Sequence, residues 1–142
     1  MYVSNETTLE EALEPLLSRT VLIVEDDRDG VAHMASILED EGYVVSTASN
    51  GREGLMALTS GSVEPCVLLL DLKMPVMDGW ELLAVMRAYV RLSRIPVVMI
   101  TADAIDRASR PAFDAFLKKP FTAEQLLEVV ARVCATPRTP RP

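Results

Sequence analysis

The hydrophobic positions of the chain fall into five short runs separated by longer amphipathic stretches. The runs are VLIV (21–24), YVVST (43–47), VLLL (67–70), PVVMI (96–100) and AFL (115–117). Three of them are unbroken and rich in Val, Ile or Leu, the pattern of strands covered on both faces. Between the runs the apolar spacing becomes helical. Val31, Met34, Ala35 and Leu38 recur at i, i+3, i+4 and i+7, and Gly42 follows as a stop. Leu55 and Leu58 mark a second helix after Asn50-Gly51, and Leu82, Leu83, Met86 and Val90 mark a third. Thr122 and Gln125 form a capping box that opens a last helix, striped by Leu126, Val129, Val130 and Val133. Strands alternating with helices predict an α/β fold, a doubly wound parallel sheet with helices on both faces.

The pattern fills residues 20–135 and leaves two ends over. Residues 1–19 form an N-terminal extension, with Leu9, Ala12 and Leu13 on one side of a short helix from Thr8 that Pro15 disrupts. It reads as a flexible or loosely docked extension, with a partner-binding or dimer-forming segment as the alternative. Residues 136–142 (TPRTPRP) have the composition of a flexible Pro/Arg tail.

Composition narrows the class. A chain of 142 residues suggests one domain, and its 49% hydrophobic content excludes wholesale disorder. Fourteen Lys and Arg against 21 Asp and Glu leave a net charge of −7. That balance argues against direct nucleic-acid binding and against anionic membrane surfaces. No apolar run reaches the roughly 18 residues of a membrane span, and the N-terminus lacks the features of a signal peptide. A cytoplasmic protein is expected. Cys66 and Cys134 match no metal spacing, and in a reducing cytosol two buried thiols are expected rather than a disulfide.

The chemistry lies at the strand ends, because open α/β sheets bind ligands beyond the carboxyl ends of their strands. Glu25, Asp26 and Asp27 follow the first run, Asp71 the third, Thr101 and Ala102 the fourth, and Lys118, Lys119 and Pro120 the fifth. Capping of the next helix accounts for Asp27 or Asp29. Convergence of the others needs another reason, since two carboxylates about 4 Å apart repel by about 4 kcal/mol at an effective dielectric of 20. A cation would hold them together, and an all-oxygen set with few protein ligands suits Mg²⁺, which commonly engages phosphate. Asp71 is then the natural nucleophile toward a phosphoryl group, with Glu25 and Asp26 holding the metal. Lys119 would neutralise a second phosphoryl oxygen, and the Thr101 hydroxyl with a backbone N–H, that of Ala102, the third.

These residues carry a family resemblance. VLIVEDD (21–27), LEDEGYVVSTASNGREGL (38–55), VLLLDLKMPVMDG (67–79), IPVVMITA (95–102) and LKKPF (117–121) together resemble the receiver domain of two-component response regulators, the CheY-like family. The resemblance implies a flavodoxin-like (βα)5 fold with strand order 2-1-3-4-5. It places the acidic pair on Glu25 and Asp26, the phosphoacceptor on Asp71, the switch threonine on Thr101 and the lysine on Lys119. It adds the backbone carbonyl of Lys73 as a metal ligand and Phe116 as the switch aromatic. The implied function is that of a phosphorelay phosphoacceptor. Asp71 takes a phosphoryl group, with Mg²⁺, from the phosphohistidine of a histidine kinase or histidine phosphotransfer protein. The chain is then not an enzyme in the ordinary sense, but assists its own phosphorylation and aspartyl-phosphate hydrolysis. Asp27, Arg28 and Val31 would meet the kinase, an unknown downstream protein would read the output, and homodimerisation is left open. His33, the single histidine, is expected at the surface.

The chain departs from the family between Thr101 and Phe121. Ala112-Phe113 stands where Gly-Ala is usual, the interval is short, and Pro111 opposes regular helix. A shortened or irregular fourth helix, between the fourth and fifth strands, is therefore expected. Phe116 lacks the hydroxyl of the common Tyr, and an ordinary core aromatic is the alternative reading. A phosphatase of the haloacid-dehalogenase type would need a second Asp where Lys73 stands, and a flavodoxin-like cofactor binder would need a phosphate loop where EDDRDG stands. The main alternative is a receiver-like interaction module that works without phosphorylation.

Overall fold

The structure, a computed structural model, describes residues 19–61, 63–105 and 111–134. Its elements run β1 (Thr20–Val24), α1 (Arg28–Asp40), β2 (Val44–Ala48), α2 (Gly51–Thr59) and β3 (Val67–Asp71). They continue with α3 (Gly79–Arg87), the single turn α4 (Val90–Ser93), β4 (Val97–Thr101), β5 (Ala115–Lys118) and α5 (Ala123–Cys134). The strands form one parallel sheet in the order β2-β1-β3-β4-β5. This is the doubly wound 2-1-3-4-5 topology expected from the sequence. Residues 1–18 and 135–142, which hold most of the extension and the whole tail, lie outside the described residues.

Side-chain alternation divides the core between the two faces of the sheet. Val21, Ile23, Val67, Leu69, Val98 and Ile100 pack with Met34 and Leu38 of α1 and with Leu126, Val129, Val130 and Val133 of α5. Leu22, Val24, Leu68, Leu70, Val97 and Met99 pack against Leu58, Leu82, Leu83 and Met86 of α2 and α3. Val67 through Leu70 are completely inaccessible. Burying a side chain of this size contributes roughly 2 kcal/mol, so β3, like its neighbours β1 and β4, is firmly seated and fixes the position of Asp71 at its end.

Helix starts follow local chemistry. Asp27 caps α1 by accepting from the Asp29 N–H, and the Thr122–Gln125 box opens α5 with reciprocal bonds of 2.9 and 3.1 Å. Gly42 closes the first helical unit at φ +90°, where a side chain would strain the backbone.

Two expectations and one alternative reading change. Val90 does not continue the stripe of the third helix: α3 ends at Arg87, Tyr89 turns extended, and Val90 is 69% exposed on α4. Leu92 and Ile95 fill the core instead. The cysteines are joined in a disulfide, Cys66 at the foot of β3 to Cys134 at the end of α5, with Cα atoms 5.0 Å apart. The thiol expectation came from compartment alone; the crossing of α5 over the foot of β3 is what brings the two sulfurs together. Phe116 is not a core aromatic, being 46% exposed on edge strand β5. Of the segment between β4 and β5, residues 106–110 lie outside the described residues, and 102–105 and 111–114 carry no helix.

Candidate functional site

The site lies where β1, β3 and β5 end. Glu25 extends the row Val21–Ile23 and Asp71 the row Val67–Leu69, so both carboxylates leave the sheet on the face that packs against α1 and α5. Among the described residues, Glu25, Asp26 and Asp71 bring carboxylate oxygens within 4.8 Å of one another. Glu25 and Asp71 are buried, at 3% and 7% exposure, while Asp26 faces solvent. Asp27 points elsewhere, as the cap of α1. Of the acids after β1, two therefore join the cluster and one serves the helix.

Lys119 enters the cluster from the far side. Its Nζ donates to Glu25 Oε1 at 3.0 Å and lies 3.6 Å from Asp71 Oδ1. Burial lowers its affinity for a proton, but the Glu25 bond and the Asp71 and Glu25 charges outweigh that and hold the ammonium above its ordinary value. Glu25 is pushed up, first by burial and then by Asp71, although Lys119 and the Asp27 N–H pull the other way. Three carboxylates around one ammonium leave an excess of negative charge, the electrostatic condition for binding a cation. Oxygen donors alone, one of them open to water, fit a hard divalent ion such as Mg²⁺.

Two loops complete the rim. Thr101 is buried one residue past Ile100, the register partner of Asp71, and its Oγ1 accepts from the Asp103 N–H at 2.9 Å. The adjacent Ala102 is exposed. Lys73 sends its side chain out to an ion pair with Asp103, joining the β3 and β4 loops across the mouth. This bridge was not anticipated, because Asp103 lies two residues past the end of β4 and its partner is set only by the fold. A groove of about 620 Å³ runs beside it, lined by residues including Lys73, Pro75, Trp80 and Asp103. A second hollow, of about 300 Å³, opens between Glu25, Asp26, Arg28 and Val31. His33 is exposed on α1, away from the cluster's residues.

Gly79 is a further positioning residue. Its N–H donates to the Leu72 carbonyl at 3.0 Å, and a Cβ there would collide with the backbone oxygen of Asp71. Asp78 and Glu81 cap α3 reciprocally, which anchors the same loop. Within it Val76 takes φ +73°, a left-handed conformation that a β-branched residue adopts only under strain.

The profile of the response regulator receiver domain matches residues 21–131, which include every member of this cluster. The chain belongs to the response regulator receiver family. The receiver is 34% identical to the chemotaxis protein CheY of Pseudomonas aeruginosa, over 80% of this chain and 94% of that one. It spans about half of longer relatives, such as 48% of the transcriptional regulatory protein HprR of Escherichia coli. The receiver domain of a signal transduction histidine kinase from Syntrophus aciditrophicus superposes with a TM-score of 0.75 at 31% identity, covering 82% of this chain and 89% of that one. A receiver domain of a P. aeruginosa sensor histidine kinase, solved with a magnesium ion in its active-site cleft, has a TM-score of 0.73 at 24% identity, over 84% of this receiver and 99% of that one. Receivers of two-component systems are signalling phosphoacceptors that interact with histidine kinases. Among the described residues, no helix is long and apolar enough to cross a membrane.

Proposed function

We propose that this receiver is a phosphorelay phosphoacceptor in which Asp71 accepts a phosphoryl group from the phosphohistidine of a partner kinase or phosphotransfer protein. The observation that carries the reading is Lys119 Nζ set between buried Glu25 and Asp71. An Asp71 Oδ attacks phosphorus, the O–P bond forms as the donor P–N bond breaks, and the electron pair returns to the imidazole nitrogen. The transition state spreads charge over three equatorial oxygens, so the protein's task is positioning and neutralisation. Lys119 moves from its Glu25 bond toward one oxygen, and the Thr101 hydroxyl with the Ala102 N–H serves another. Glu25, Asp26, Asp71 and the Lys73 carbonyl would hold Mg²⁺, which would supply further positive charge to the phosphoryl group. The magnesium-bound relative of the same fold supports this choice of ion.

Thr101 also carries the switch. Its hydroxyl now accepts from Asp103, which is paired to Lys73. Turning toward a phosphoryl group releases that contact, so the β4 loop is freed as charge arrives at Asp71. Phe116, on the neighbouring strand, is already at the surface where a partner can read the change. The receiver acts in the cytoplasm, a separate downstream protein reads its output, and the same site assists aspartyl-phosphate hydrolysis.

Intact-mass measurement after incubation with acetyl phosphate tests the reading. One phosphoryl adduct is expected with Mg²⁺, and none with EDTA or in Asp71→Asn. Absence of an adduct at saturating donor and Mg²⁺ would replace this function with that of a phosphorylation-independent interaction module.

A further inference from the structure

We propose that Cys66 and Cys134 are a reversible thiol–disulfide site, which sets how tightly the end of α5 is held to the foot of the phosphoacceptor strand. Three observations carry this.

First, the fold has other means of holding both residues. Leu126, Val129, Val130 and Val133 already seat α5 on the sheet, and the Cys66 N–H donates to the Thr20 carbonyl at 2.8 Å. Cys66, 1% exposed among apolar neighbours, is as well suited to a buried thiol as to a half-cystine. Opening the bond therefore leaves the core intact.

Second, access is one-sided. Cys134 is partly exposed at the last residue of α5, whereas Cys66 is closed off. An incoming thiolate reaches the Cys134 sulfur. Attack there forms a mixed disulfide, breaks the Cys66–Cys134 bond and releases Cys66 as a thiolate that takes up a proton. A second thiol, from the same dithiol reductant or from a second glutathione, then attacks the mixed disulfide and frees Cys134. The pair gains two electrons and two protons, and the reductant leaves as its own disulfide.

Third, the bond lies where it affects the last turn of α5 and not the chemistry. The whole of β3 separates Cys66 from the acid cluster at Asp71. The last turn of α5 is pinned to the sheet when the pair is oxidised and can fray when it is reduced. Disulfides that form in a reducing compartment are usually transient or redox-responsive ones.

The test uses the full chain equilibrated in glutathione buffers of graded redox ratio, then alkylated and weighed. The expected result is a reversible transition from no alkylated cysteine to two. Reduction should lower the melting temperature by several degrees. It should also raise amide exchange in residues 131–134 while β3 stays protected. Cys134→Ser, at the partly exposed position, should reproduce the reduced state under all buffers. Two alkylated thiols in the most oxidising buffer would overturn the proposal. So would a bond that no glutathione ratio opens, or reduction that unfolds the domain. None of these outcomes depends on whether Asp71 is phosphorylated.

Discussion

Lys119 and Glu25, from opposite ends of the chain, meet at 3.0 Å over the carboxyl edge of the sheet. Glu25 is almost wholly buried, and Lys119 is the ammonium set against it and Asp71. Lys119→Met should therefore leave Glu25 and Asp71 facing each other without compensation. Breaking a fully buried pair costs about 3–5 kcal/mol, but solvent reaches Lys119, so a loss of about 1–2 kcal/mol is expected in metal-free buffer. Urea unfolding with and without Mg²⁺ checks this, and saturating Mg²⁺ should recover part of the loss.

Asp26→Asn should act in opposite directions on stability and on metal binding. Removing one of three crowded carboxylates relieves repulsion on the order of 1 kcal/mol at a site open to water, so the metal-free protein should become slightly more stable. Mg²⁺ affinity by calorimetry should fall at least about tenfold, the scale on which even outer-sphere partners matter. A variant that lost both together would point to a structural role for Asp26.

Gly79→Ala should injure the site from a distance. The new Cβ meets the Asp71 carbonyl oxygen, so either α3 or the end of β3 must shift. A destabilisation of roughly 2 kcal/mol or more is expected, with phosphorylation reduced beyond what unfolding explains. Chemical denaturation paired with the adduct assay at a temperature where the variant is folded separates the two effects.

Val76→Gly should have the contrary sign. Val76 is 73% exposed at φ +73°, so its side chain contributes little packing while its backbone is strained. Relief of that strain, less the entropy glycine loses, should stabilise by about 1 kcal/mol. Thermal denaturation reads it directly, and a fall in stability would mean that the Val76 side chain packs against the loop.

Much of this was legible in the sequence, for physical reasons. β1, β3 and β4 are buried on both faces, so each must be written in unbroken apolar residues, and the carboxylates stand out because they interrupt that run. Capping is local, so the Thr122–Gln125 box and the cap of α1 could be read from neighbouring residues. The features that escaped depend on where distant segments end. The Cys66–Cys134 bond spans 68 residues and is determined by where α5 finishes. The Lys73–Asp103 pair joins two loops that no periodicity describes. Val90 fits a helical stripe that the chain had already left at Ala88, and nothing at that residue announces the stop. Between the two readings of Phe116, only its edge position on β5 decides against the core one.

The central claim is that Asp71, and no other carboxylate of the crowded rim, takes the phosphoryl group. Borohydride reduction converts an aspartyl phosphate to homoserine, which fragment-ion mass spectrometry places at a single residue. After acetyl phosphate and Mg²⁺, the peptide spanning 67–79 should carry homoserine at position 71, with Asp26, Asp27 and Asp78 unchanged. Homoserine at any of those three, with Asp71 intact, would contradict the account.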